Sequence, residues 1–113
     1  MADDCLFCRI IRQEIPVPLV YSSPDCVAFR DINPQAPTHI LVVPREHVPS
    51  LNETRDAPML GKLSLAASEI ARSEGIADSG YRTVMNTNRD AGQTVFHIHL
   101  HLLGGRSMGW PPG

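Results

Sequence analysis

This 113-residue sequence has no long hydrophobic run. Its longest uninterrupted aliphatic stretch is residues 40–43, against the roughly 20 residues that a helical membrane span needs. The opening Met1-Ala2-Asp3-Asp4 has neither the basic start nor the apolar core of a secretory leader. A cytoplasmic setting without membrane contact is therefore expected. A cationic excess is also missing. Ten Lys and Arg against 12 Asp and Glu leave a net charge of −2, which disfavours nonspecific binding to nucleic acid. Cysteine is sparse and odd in number. In a reducing compartment Cys5, Cys8 and Cys26 read as thiols or metal ligands rather than as a disulfide framework. No repeat, low-complexity tract or linker interrupts the chain. With 42% apolar and 19% charged residues it has the composition of a folded domain, so residues 1–113 read as a single domain.

The residues present spell out an α+β pattern. Residues 5–14 place Leu6 with Ile10 and Phe7 with Ile11 at helical spacing, and Ile15-Pro16 ends that short helix. Residues 17–21 and 26–32 read as two strands around the turn cluster 22–25. Residues 39–44 form a third strand, apolar enough for burial on both faces. Residues 49–52 are irregular or a single helical turn. Leu60, Leu63, Ala67, Ile70 and Ala71 mark one face of a long helix over 55–74, with Gly75 as its stop. Residues 81–87 make a fourth strand, 88–93 a polar loop, and 95–103 a fifth strand. The expected architecture is a mostly antiparallel five-stranded sheet with one long and one short helix.

The fifth strand carries the chemistry. Along Val95-Phe96-His97-Ile98-His99-Leu100-His101-Leu102-Leu103, side chains of a strand alternate faces. His97, His99 and His101 then share one face, about 7 Å apart at each step for a rise of ~3.4 Å per residue. Phe96, Ile98, Leu100 and Leu102 fill the other. One such histidine would be an ordinary polar residue on a wet strand face; three in alternation point to a site. Neutral imidazole is a good nucleophile toward phosphorus, and a second imidazole can donate to a phosphoryl oxygen. A three-histidine metal site is the competing reading. The preceding loop, Asp90-Ala91-Gly92-Gln93-Thr94, has a glycine flanked by amide and hydroxyl donors that suit close approach to phosphate.

Cys5-x-x-Cys8 lets two thiolates clasp one tetrahedral metal. His47 and one histidine of the triad are available to complete a closed structural site. Two buried helix thiols, or a redox pair, are the plainer alternatives.

These residues together resemble the histidine triad superfamily. The likeness runs through Phe7, Ile10-Ile11, Glu14-Ile15-Pro16, Ala28-Phe29-x-Asp31-Ile32 and Pro34-Gln35-Ala36-Pro37-Thr38-His39. It continues in Val43-Pro44-x-x-His47, Gly80-Tyr81-Arg82, Asn86, Gly92-Gln93, His97-x-His99-x-His101 and Gly104-Gly105-Arg106. The ending Met108-x-Trp110-Pro111-Pro112-Gly113 is similar to the nucleotide-binding, phosphoramidase branch.

The resemblance implies a homodimer whose sheets join across the interface, and a hydrolase of purine nucleoside phosphoramidates, including AMP linked to an amine or lysine. It implies that His99 attacks phosphorus to form a nucleotidyl-histidine. His101 hydrogen-bonds phosphate oxygens or the leaving group, and the His97 carbonyl orients His99. Thr94 counts with these three among the catalytic residues. Asp31 holds the ribose hydroxyls. Asn86 and Thr94 contact phosphate, with Gly92 and Gln93 beside them and Val95 in the same nucleotide site. Leu6, Phe7, Ile10, Phe29 and Ile32 form the base pocket. Branch members with the Cys pair bind structural zinc through Cys5, Cys8, His47 and His97, and the reaction needs no catalytic metal. Thr94 stands where Ser is common, and Arg45 where Lys is common. Dinucleoside polyphosphate hydrolysis, a nucleotide-binding scaffold or sensor, and a zinc-dependent interaction module are the alternative functions. His39 reads equally as a neighbour of the triad or as a satisfied core histidine.

Overall fold

A computed structural model describes residues 4–113. Met1, Ala2 and Asp3 of the acidic start lie outside the described residues.

The first helix, α1, spans Leu6–Ile11. The Cys5 thiol caps it by accepting the Cys8 N–H at 3.5 Å. It stops short of the expected residue 14. Gln13 turns into the left-handed region at φ 61, Glu14 N–H donates to the Arg9 carbonyl at 2.9 Å, and Gln13 N–H donates to Ile10 at 3.0 Å. These two bonds satisfy the last carbonyls and close the helix. A long helix, α2, spans Ala57–Ser73. Asp56 caps its start by accepting the Met59 N–H at 3.1 Å. The stop at Gly75, with φ 76, is where the sequence placed it.

Among the described residues, five strands form one sheet: β1 (Tyr21–Ser22), β2 (Cys26–Arg30), β3 (Thr38–Pro44), β4 (Tyr81–Val84) and β5 (Leu100–Gly104), in the order β1-β2-β3-β5-β4. Every neighbouring pair is antiparallel. The expected first strand shrinks to two residues, since Pro16 and Pro18 have no N–H to give a ladder. The expected loop 88–93 contains one further helical turn, α3 (Asn88–Ala91), ended by Gly92 at φ 84.

All seven residues of β3 are buried, as its composition predicted. Ile40 and Val42 pack under α2 against Leu63, Ala67 and Ile70. Leu41 and Val43 face the other way, with Phe7, Ile10 and Phe29. Each such aliphatic side chain taken from water contributes about 1.5–3 kcal/mol. The long α2 closes its face of the sheet. The six-residue α1 covers only part of the opposite face and leaves a cavity beside it.

One expectation needs correction. The ladder of β5 begins at Leu100, so residues 95–99 are not part of a strand. The last partner of β5 on β3 is Val42, opposite Leu100. Beyond it Pro44 has no N–H, and its carbonyl is taken by the His97 ring at 2.8 Å. Ile98 N–H instead donates to the Val48 carbonyl at 2.8 Å. His97 and His99 precede the ladder, yet the alternation of faces holds: both meet Phe7 on the α1 side, where His101 stands opposite Leu41, while Ile98, Leu100 and Leu102 pack on the α2 side. Phe96 does not fill a packed face with Ile98, Leu100 and Leu102; it is 49% exposed.

Candidate active site and metal centre

The cavity beside α1 has a volume of about 490 Å³. Leu6, Phe7 and Ile10 come to it from α1, Phe29 from β2, and Asp31 and Ile32 from the turn that follows. Gly92, Thr94 and Val95 close it from the loop after α3, and His99 and His101 form part of its wall. Ile32 is fully exposed at the rim and packs into nothing. Thr94 and Val95 also border a second cavity of about 460 Å³, which reaches Cys5 and His47.

Two residues assigned to the nucleotide site do not line the cavity. Asn86 is half-buried in the segment after β4. Gln93 is buried, and its amide serves the backbone. Nε2 donates to the Pro49 carbonyl at 2.8 Å and to the Val95 carbonyl at 3.1 Å, and Oε1 accepts the Asn88 N–H at 2.8 Å. Gln93 thus shapes the loop that presents Thr94.

Hydrogen bonds fix the histidine tautomers. His99 Nδ1–H donates to the His97 carbonyl at 2.8 Å, which leaves the lone pair on Nε2. Burial pushes the His99 pKa below the ordinary imidazole value, against the opposing effects of that carbonyl and of Asp31. The ring is neutral near pH 7, as a nucleophile requires. The edge of Phe7 packs on it, with ring centres 5.0 Å apart.

His39 Nδ1 accepts the Gln35 N–H at 3.0 Å. A neutral His39 then carries its proton on Nε2, which lies 2.9 Å from His101 Nδ1. His101 accepts there and keeps its own proton on Nε2. Burial, and after it repulsion from His99 and His39, lowers the His101 pKa to about 4. Burial lowers His39 as well, with Asp31 opposing. The Asp31 carboxylate stands 3.5 Å from His39 Nε2. His39 thus belongs to the site, a point its sequence context left open. No spacing rule links position 39 to position 101; only the β3–β5 pairing joins them.

His97 turns away from the cavity. Its Nε2–H donates to Pro44, so Nδ1 carries a lone pair. That atom lies 3.5 Å from Cys5 Sγ, 3.6 Å from Cys8 Sγ and 3.2 Å from His47 Nδ1. Cys8 Sγ is 3.3 Å from His47 Nδ1. An ion with metal–nitrogen bonds of about 2.0 Å and metal–sulfur bonds of about 2.3 Å in a tetrahedron holds nitrogens about 3.3 Å apart and nitrogen from sulfur about 3.5 Å apart. The four donors meet that requirement and lie close enough together to hold a metal ion. Without a cation, burial and the neighbouring Cys5 push the Cys8 thiol pKa up, and a bound cation would reverse this. The arrangement is therefore two sites that share His97: a cavity with a neutral imidazole on its wall, and a closed S₂N₂ cluster behind it.

Comparison with known proteins agrees with this geometry. The HIT domain profile matches residues 12–108. The chain belongs to the HIT domain family. This HIT protein is 51% identical over 111 residues to the purine nucleoside phosphoramidase of Escherichia coli K12, across 96% of this chain and 93% of that protein. It is 51% identical over 115 residues to an uncharacterised HIT-like protein of Synechococcus elongatus, across 100% of both chains. The crystal structure of a HIT family hydrolase from Legionella pneumophila superposes with a TM-score of 0.95 at 48% identity, covering 97% of this chain and 100% of the other. Among the described residues, no helix of this HIT protein is long and apolar enough to cross a membrane.

Proposed function

We propose that this HIT protein, acting as one domain, hydrolyses purine nucleoside 5′-phosphoramidates of the AMP–amine type through a covalent intermediate on His99. The observation that carries the reading is the His99 Nδ1–H bond to the His97 carbonyl. It leaves the Nε2 lone pair of a neutral ring at a cavity whose apolar walls, Leu6, Phe7, Ile10 and Phe29, suit a purine. Ile32 would cover the base at the rim. Asp31 at the same cavity can accept hydrogen bonds from two vicinal ribose hydroxyls. The relative from Escherichia coli carries the same activity in its name.

In the first step His99 Nε2 forms a bond to phosphorus and the phosphorus–nitrogen bond breaks. The leaving amine takes its proton from solvent, while the neutral His101 keeps its own and donates the Nε2–H hydrogen bond to a phosphoryl oxygen or to the leaving nitrogen. In the second step water attacks phosphorus, the His99–phosphorus bond breaks, and AMP is released. Thr94, with the Gly92 backbone beside it, would hold the phosphoryl oxygens. Asn86 and Val95 would flank them, and Gln93 would hold that loop in place. Most of the acceleration then comes from positioning and from donors aimed at those oxygens. Cys5, Cys8, His47 and His97 would hold a structural zinc ion, which when bound supplies a cross-link between α1 and the sheet. The edge strand β4 would pair with a second copy, joining two sheets in a homodimer in the cytoplasm.

Trapping tests the reading. The protein is quenched during turnover of a phosphorus-labelled adenosine phosphoramidate and the label is located. Label on His99, with turnover in His99→Ala down by about 10³-fold or more, is expected. Normal turnover in that variant overturns the mechanism. Comparison with a diadenosine polyphosphate as substrate separates phosphoramidase from polyphosphate hydrolase.

A further inference from the structure

The metal cluster and the reacting imidazole share more than proximity. His97 offers Nδ1 to the cluster, while its backbone carbonyl holds the His99 Nδ1–H at 2.8 Å. A rotation or shift of residue 97 that broke the first arrangement would move the second. The Pro44 carbonyl pins the third point of the same residue through Nε2, at 2.8 Å. A second connection runs through α1. Cys5 and Cys8 flank Leu6 and Phe7, so the clasp and the cavity wall are the same turn of chain. Phe7 meets both rings edge-on, with its centre 6.0 Å from His97 and 5.0 Å from His99. A helix of six residues has too few internal hydrogen bonds to persist by itself. The Cys5 sulfur that caps it also faces His97. What holds the four donors together therefore also holds α1 in place.

Resting on the nucleotide reading above, we propose that the Cys5–Cys8–His47–His97 cluster is a positioning centre for the nucleotide site. A tetrahedral divalent ion held there tightens binding of a nucleoside monophosphate, and the nucleotide tightens binding of the ion by the same factor. The reciprocity is a thermodynamic requirement once the two sites share a state. The ion acts by fixing the His97 carbonyl and the Leu6–Phe7 wall, not by touching phosphate. A staple that only held the fold together would not register what lies in the cavity.

Cobalt(II) in place of zinc makes the cluster visible, because tetrahedral Co²⁺ with two thiolates absorbs in the visible range. The full chain is loaded with Co²⁺ and titrated with AMP, and AMP binding is measured in parallel on chelator-treated protein. The expected result is a shift of the Co²⁺ bands that saturates with AMP, together with about 5- to 150-fold tighter AMP binding to the loaded form. Bands unmoved by saturating AMP overturn the coupling, and so do AMP dissociation constants that agree within about twofold between the two forms. If the metal-free chain does not fold, the band response in the loaded, folded protein decides alone. Absence of AMP binding to either form overturns the nucleotide reading itself, and the coupling with it.

Discussion

His39 Nε2 lies 2.9 Å from His101 Nδ1, and the Gln35 N–H occupies the far side of the His39 ring. This chain of donors leaves no room for an extra proton between the two rings. His101 is held neutral, with its pKa lowered to about 4 mainly by burial. An unfolded chain takes up a proton on that histidine near pH 6.5, and the folded chain refuses it until about pH 4. The contribution is therefore fully present above pH 6.5 and is lost as pH falls through that window. Thermal melts at several pH values are expected to show His101→Gln losing less stability than the parent protein between the two values. Equal slopes would show that His101 is not the group responsible.

Asp31 is expected to govern affinity more than turnover. Its Oδ1 accepts the Asn33 N–H at 2.8 Å, which sets the carboxylate at the rim of the cavity. A hydrogen bond to a charged acceptor contributes about 1.5–3 kcal/mol. Asp31→Asn should weaken AMP binding by about tenfold or more on that scale. Replacing AMP by its 2′-deoxy form should weaken the parent protein and leave the variant almost unchanged. Equal losses for both proteins would place the ribose elsewhere.

Gln93→Leu tests the loop rather than the chemistry. Removing the amide leaves the Pro49 carbonyl and the Asn88 N–H without the partners they have now. Both bonds are only part-buried, so water can partly replace the amide and a loss of about 1–3 kcal/mol in urea unfolding is expected. A midpoint like that of the parent protein would show that water replaces the amide.

Gly105→Ala should destabilise through two causes at once. Residue 105 has φ +88, and a Cβ there would sit 2.9 Å from Pro37 Cβ. A cost of about 1–3 kcal/mol follows from the backbone conformation and the contact together. The same stretch positions Gln35, whose carbonyl accepts from Arg106 at 3.0 Å. A lower melting temperature is therefore expected together with a disturbed His39 environment by NMR.

Periodicity located α2, its stop at Gly75 and the two-faced burial of β3, because each is written in a local run of side chains. It missed the early end of α1, where a non-glycine residue, Gln13, takes the left-handed turn. It also placed the histidines on a strand that starts only at Leu100. What bends residues 95–99 away is the backbone of Pro44 and Val48, some fifty positions earlier. Alternation along a segment carries no record of that. The Cys pair with His47 and one histidine of the triad was legible as a donor set, but the choice of His97 came from family likeness, since no local spacing joins positions 8, 47 and 97. The function of Gln93 as a brace, and the link from His39 to His101, became visible only with the strands paired.

The order of the strands has a consequence for how the molecule comes together. The β2–β3 and β4–β5 pairs each join segments close along the chain, whereas Leu41 meets His101 only when the two halves dock. Both of those residues line the cavity. Closing so long a loop is the entropically slow event. Neither hairpin alone contains a binding site, and a ligand that occupies the finished cavity reinforces the last and least local pairing in the sheet.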